Sequence, residues 1–290
     1  MDFRELVKVG AHYGHLRSRL NPKMSPYIWG MKNNVHLIDV SKTAYLVEKA
    51  AKFLEQVASK DKPILWIGTK KPSREAISSV AQKLGMPYVS NRWIGGTLSN
   101  YGQVKKSVTK LLHYEDIISK SEKFPYYTKK EINRFAKVVD KLKNNIGGIM
   151  GLTWPIGAIV IVDAVKELSA LKEAATVGIP VVAIVDTNGD PTLVDYVIPA
   201  NDDSSRSIKL IVDYLAQYVQ KGKDAAQVAK KEKEAKVKAA PKVEEKKGVV
   251  EKKEKTVTKK TAGDTPRSAS KAKSKASTTK EKEKAAEKKK

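Results

Sequence analysis

The amino-acid sequence predicts an α/β fold built on a doubly wound, five-stranded parallel sheet, and two observations carry that prediction. Short runs rich in Val and Ile recur at 64–68 (ILWIG), 88–90 (YVS), 158–163 (AIVIVD), 181–186 (VVAIVD) and 196–199 (YVIP). Runs of this length without polar alternation are what parallel strands covered on both faces look like. Segments of helical period separate them, as strand-helix-strand units require.

In chain order, a helix over 43–59 precedes the first strand. Helices over 73–84 and 165–177 are closed at Gly85-Met86-Pro87 and Gly178-Ile179-Pro180, because glycine enters the left-handed conformation that ends a helix and proline cannot continue one. A last helix over 205–220 aligns Ile208, Ile211, Val212, Leu215, Tyr218 and Val219 on one face. Five strands connected in this way take the flavodoxin-like order 2-1-3-4-5.

The connection between the second and third strands is too long for that plan and predicts an insertion over 101–148. Val104, Val108, Leu111 and Ile118 mark one helical stripe, and Ile132, Phe135, Val139, Leu142 and Ile146 mark a second. Thr128 and Glu131 have capping-box spacing at the start of the second helix, and Gly147-Gly148 ends it. The prediction is an antiparallel helical hairpin with its tip near Phe124-Pro125-Tyr126, set into an α/β domain made of 1–100 and 149–220. A helix over 129–146 is roughly 27 Å long at a 1.5 Å rise per residue, so the hairpin should project. Residues 221–290 are Lys, Ala, Glu, Ser and Thr with almost no large apolar side chain. Such a segment cannot bury enough surface to offset its ordering entropy and is expected to be a disordered basic tail.

Lys and Arg number 56 against 32 Asp and Glu, a net charge of +24. The tail holds 25 basic and 11 acidic residues, +14 of that total, so the remaining +10 belongs to the folded part. An excess of this size favours a polyanionic partner, nucleic acid first. The absence of cysteine excludes thiolate metal sites, thiol nucleophiles and disulfide scaffolds. No apolar run is long enough to span a bilayer and MDFRELVKVG has no signal-peptide core, so a soluble, cytoplasmic protein without a membrane partner is expected.

Two segments combine cations with aromatics. In NRWIGGTLSN (91–100), Asn91, Arg92 and Trp93 precede Gly95-Gly96, giving a planar cation for phosphate and an indole for stacking on a loop that a partner can approach closely. A half-buried tryptophan in a strand-to-helix connection is the plainer reading of the same residues. In the N-terminal arm, Arg17, Arg19, Lys23 and Lys32 are interleaved with His12, Tyr13, His15, Tyr27 and Trp29 and stiffened by Pro22 and Pro26, a mixture suited to phosphates and exposed bases of structured RNA. Lys70, Lys71 and Arg74 follow the first strand, where a helix N-terminus adds positive potential.

An enzyme alternative rests on Asp163, Asp186, Asp190, Asp202 and Asp203 at strand ends, where open α/β sheets bind nucleotides or metals. Turn and N-cap roles explain the same carboxylates, and the first loop, GTKKPSRE, has no glycine-rich phosphate cradle. His15 with Asp186 and Asp203 is a candidate divalent-metal set. A third possibility is a nucleoid-type nucleic-acid-binding protein that uses its basic tail.

GAHYGHLRSRLNPKMSPYIWGMKNNVHLIDVSKT (10–43), ILWIGTKK (64–71), YVSNRWIGGTLSN (88–100) and GIPVVAIVDTNGDPTLVDYVIPANDDSSRSIKL (178–210) stand in one order. Together they closely resemble the bacterial and organellar small-subunit ribosomal protein of the S-two family over roughly the first 220 residues. Three features depart from the pattern: Trp154 and Ile156 in GLTWPIGA, Ala200 where the family usually has glycine, and the long tail. The resemblance implies a non-catalytic component of the ribosome that requires no cofactor and no small-molecule substrate. Its implied partners are small-subunit ribosomal RNA and other small-subunit ribosomal proteins, including the large S-one protein. The RNA contacts expected from the cationic segments are Arg17, Arg19, Lys23, Lys32, Lys70, Lys71, Arg74, Asn91, Arg92 and Trp93, with Lys105 and Lys106 on the inserted hairpin.

Overall fold

Every residue of β4 (Ile64–Ile67), β6 (Ala158–Val162) and β7 (Val181–Val185) is buried, as their unbroken apolar runs require. The structure, a computed structural model, describes residues 1–121 and 126–239. With β5 (Tyr88–Val89) and β8 (Tyr196–Pro199), these strands form a parallel sheet in the order β5-β4-β6-β7-β8. This is the flavodoxin-like order expected from the strand count.

Alternate side chains of a strand point to opposite faces, so each run feeds two cores. Ile64, Trp66, Val160, Val162, Val182 and Ile184 pack on one side with α2 (Val40–Ser59), α3 (Lys71–Leu84) and α7 (Ser205–Ala239). Leu65, Ile67, Ile159, Ile161, Ala183 and Val185 face α6 (Leu168–Val177) and the roots of the inserted helices on the other. Each such aliphatic side chain contributes roughly 1.5–3 kcal/mol on burial.

The helix ends follow local chemistry. Asp39 caps α2 through the amides of Ser41 and Lys42, and Gly85 and Gly178 end α3 and α6 in the left-handed conformation. Helix α6 begins at Leu168 rather than 165, because the Asp163 carboxylate accepts from the amides of Val165 and Lys166 and holds a turn there first. Helix α7 does not stop at residue 220 as expected; it continues to Ala239. A Cβ on Gly222 would stand 2.4 Å from the Glu55 carbonyl oxygen, so only glycine lets α7 lie against the end of α2. Lys223 then donates to the Leu84 carbonyl and Ala226 is buried, which docks a segment that composition alone assigned to the tail.

The N-terminal arm is not the proline-stiffened loop that was expected. After a short helix α1 (Phe3–Lys8), it folds as a small antiparallel sheet of β1 (Tyr13–Leu16), β2 (Ile28–Lys32) and β3 (Val35–Ile38), in the order β1-β3-β2. Asn33 and Asn34 both take positive φ (52° and 61°), the turn that joins β2 tightly to β3. In the insertion, α4 (Tyr101–Ser121) and α5 (Lys129–Ile146) pack together, with Tyr114 stacked on Phe135 at 5.1 Å. The capping box of Thr128 and Glu131 is formed. Phe124 and Pro125, at the expected tip, and the expected tail over 240–290 lie outside the described residues.

Candidate nucleic-acid interface

The loop after β5 is held from beneath by one carboxylate. Glu173 of α6 accepts from the Trp93 indole Nε1 at 3.0 Å and the amides of Gly96, Leu98 and Ser99 at 2.8, 3.0 and 3.4 Å. Burial acts to raise its pKa, but the Leu98 amide, the Trp93 indole and the other donors hold it below the usual carboxylate value. Trp93 is only 9% exposed and packs in the second core, so it anchors the loop and offers no face for stacking, contrary to expectation. Asn91 likewise turns inward, donating to the Asn144 carbonyl at 2.7 Å. Arg92, between them, stays exposed.

The loop after β4 divides in the same way. Lys70 Nζ lies 2.6 Å from Asp202, 2.7 Å from Asp203 and 3.4 Å from Asp163, which corrects its expected role as a phosphate ligand. Burial opposes its charge, yet the hydrogen bonds to Asp202 and Asp203 raise its pKa above the ordinary lysine value. Its neighbour Lys71 is exposed, and so is Arg74, whose Nε donates to the Thr69 carbonyl at 3.0 Å. Lys23 is drawn to Asp190 and Thr192, each at 2.8 Å, and that bond pulls the Asp190 carboxyl down to about 2. Among the described residues, Arg17, Arg19, Lys32, Lys71, Arg74, Arg92, Lys105 and Lys106 form no ion pair.

Behind these cations lies a cluster of carboxylates at the carboxyl ends of the strands. Gly14 lets β1 press on Thr187, since a Cβ there would stand 2.5 Å from the threonine methyl group. That approach sets the His15 amide 2.9 Å from Thr187 Oγ1 and its Nδ1 3.1 Å from Asp186. The Asp186 carboxylate raises the His15 pKa by more than burial lowers it. Asp203, from the expected metal set, is exposed, bound to Lys70 and 3.5 Å from His15 Nε2. Among the described residues, the group whose ligand atoms all lie within 4.8 Å of one another is instead His15, Asp186 and Asp202. The expected N-cap role of Asp202 and Asp203 is also corrected: the Asn201 side chain accepts from the amides of Asp203 and Ser204, and Ser204 Oγ accepts from Ser207. Asp202 is turned inward; burial first, and then the Asp163 charge, push it up to about 7.

This arrangement fills the crevice between β4 and β6, the switch point where a doubly wound sheet would hold a ligand. Lys70, after β4, reaches Asp163, after β6, across it, and buried Thr69 donates to buried Glu167 beside them. Lys70 and His15 are both engaged by carboxylates here, so neither is free for a substrate phosphate.

The family described as Ribosomal protein S2 matches residues 6–222. The chain belongs to the ribosomal protein S2 family. It is similar to the small ribosomal subunit protein uS2 of a Nitratiruptor species, 40% identical over 251 residues that cover 87% of this chain and 94% of the relative. The uS2 proteins of Cytophaga hutchinsonii and Amoebophilus asiaticus are each 41% identical, over 82% and 84% of this chain and 92% and 78% of theirs. As an S2 family member the chain is a structural ribosomal protein of the small subunit and of translation, not an enzyme.

The S2 protein also carries a basic stripe on its second inserted helix. Lys130, Arg134, Lys137 and Lys141 recur at helical spacing along α5 and are all exposed. The anchoring carboxylate Glu173 left no such signal, because nothing local distinguishes it from any other glutamate on a surface helix.

Proposed function

We propose that this S2 family member docks on small-subunit ribosomal RNA through Arg17, Arg19, Lys32, Lys71, Arg74 and Arg92, with Lys105 and Lys106 extending the contact along a projecting helical hairpin. The observation that carries this reading is where the unpaired cations converge. Lys71 and Arg92 follow the neighbouring strands β4 and β5, and the His15 contact with Asp186, which follows β7, brings the N-terminal arm to the same carboxyl-terminal rim of the sheet. Lys23, Lys70, Asn91 and Trp93 position that surface from within. Phosphate contacts of this kind set register and orientation, and the closed sheet beneath supplies rigidity.

In the same reading the protein works on the ribosome in the cytoplasm, beside other small-subunit ribosomal proteins that include the large S-one protein. The α/β domain bears the specific contacts. No small molecule is a substrate, and RNA docking needs no cofactor. His15, Asp186 and Asp202 form a nitrogen and oxygen donor set suited to a structural divalent ion, and four carboxylates facing one lysine and one histidine favour an added cation. Elemental analysis of the purified chain, with His15→Ala as control, tests that ion; a zinc-to-protein ratio near zero in both removes it.

Filter binding to small-subunit RNA across a salt series tests the interface. Lys71→Ala with Arg92→Ala should flatten the logarithmic salt slope by about two units if each neutralises one phosphate. A slope equal to that of the unaltered chain removes both residues from the contact.

A further inference from the structure

We infer that the open face of the small antiparallel sheet is a stacking platform for unpaired RNA bases, a use that rests on the RNA-binding reading above and narrows it to single-stranded segments. Paired positions of neighbouring strands share a face. Tyr13, Leu37 and Gly30 therefore form one row across the three strands, and Leu16, Val35 and Lys32 form the next. His36 and Ile38, at the alternate positions of β3, are buried. The rows of Tyr13 and Leu16 point the other way, and both of these side chains are 51% exposed. A Cβ built on Gly30 would meet nothing within 4 Å, so this apolar floor is open above its edge strand. Trp29, next to Gly30, is 76% exposed.

The rim chooses the occupant. Residues 10–38 contain Arg17, Arg19, Lys23 and Lys32 and not one Asp or Glu. Of these, Lys23 is engaged by Asp190, whereas Lys32 lies in the second row and Arg17 follows it directly. Beside that row, Leu16, Arg17, Ser18 and Asn34 line a hollow of about 560 Å³. An apolar, aromatic floor with cations and no carboxylate from its own segment suits a polyanion that also carries flat rings. Single-stranded RNA offers both together, while a duplex keeps its base faces inside the stack. The loop over 91–100 cannot serve this purpose, because the Trp93 ring lies in the core.

Fluorescence anisotropy with the full chain tests the platform, using two labelled probes: a uridine-rich single strand of about 12 nucleotides, within the site sizes of single-strand binders, and a blunt RNA duplex of equal length. Tyr13→Ala with Trp29→Ala should weaken the single strand about tenfold, the effect of losing one stacked base. Gly30→Val, which fills the floor, should do the same, Tyr13→Phe should bind as the unaltered chain, and duplex affinity should hold within about twofold of wild type. Unaltered thermal melts show that the variants fold. Wild-type single-strand affinity in Tyr13→Ala/Trp29→Ala and Gly30→Val overturns the platform, and so does an equal loss on both probes. If rRNA binding persists through Lys71 and Arg92 in either case, the platform alone fails. If the unaltered chain binds neither probe nor rRNA, the RNA-binding reading fails with it.

Discussion

The loop over 91–100 and the N-terminal arm over 10–38 are built from the same materials, an aromatic ring beside cations and glycine, and the fold uses them in opposite ways. In the loop, Glu173 gathers four donors, draws Trp93 into the core and leaves Arg92 alone at the surface. In the arm, no carboxylate lies within the segment, the sheet is covered on one face only, and Tyr13 and Trp29 remain in the open. Whether an aromatic side chain anchors a loop or stays in the open is decided here by whether an acceptor from elsewhere in the fold reaches its polar atom. Lys70 and Lys71 repeat the contrast between adjacent residues: three carboxylates hold the first, and none holds the second.

The sharpest way to break this comparison is at Lys70. Lys70→Ala leaves Asp202 and Asp163 buried without a counter-charge and should destabilise the chain by about 3 kcal/mol in urea unfolding. Lys71→Ala should leave the unfolding midpoint unmoved. Equal midpoints for the two variants would mean that Lys70 is as free as its neighbour. Next in size, Glu173→Ala strands the Trp93 indole and the loop amides, with an expected loss of about 2 kcal/mol and a red shift of tryptophan emission. An unshifted emission maximum would show that packing alone seats the ring.

A third, smaller effect is electrostatic. In the folded chain Asp202 keeps its proton up to about pH 7, whereas the unfolded chain has released it from about 3.8 upward. The native state therefore holds the extra proton in that window, and stability falls as pH rises through it. His15, raised above its ordinary 6.5, acts in the same direction, since its contribution is present below that value and is lost above it. Between about pH 5 and 7 the chain should lose on the order of 2 kcal/mol, and Asp202→Asn should flatten that slope. A steeper slope in the variant would reverse the assignment. Smallest in stability but direct in function, Lys71→Ala should lower the logarithmic salt slope of rRNA binding by about one unit.

Legibility followed the range of the forces involved. The five strands, the left-handed glycines ending α3 and α6, and the Thr128–Glu131 capping box were readable because each depends on residues a few positions apart. The small sheet was missed although Asn33-Asn34 marks its turn, because the prolines and cations around it suggested a loop. The length of α7 was missed because Lys/Ala composition says nothing about the contact of Gly222 with Glu55. Sequence does not separate Asp202 from Asp203 as a metal ligand, since two adjacent aspartates look alike until the turn at Asn201 directs one inward and the other out.

The linear pattern alone determined the α/β class, the strand order and the surplus of positive charge, because hydrophobic period and turn chemistry act within one element and net charge is a sum. Only the tertiary structure decided which cations are free and which rings are buried. A lysine or tryptophan takes its role from partners such as Asp202, 132 residues from Lys70, and Glu173, 80 residues from Trp93, and no local rule specifies contacts at that separation.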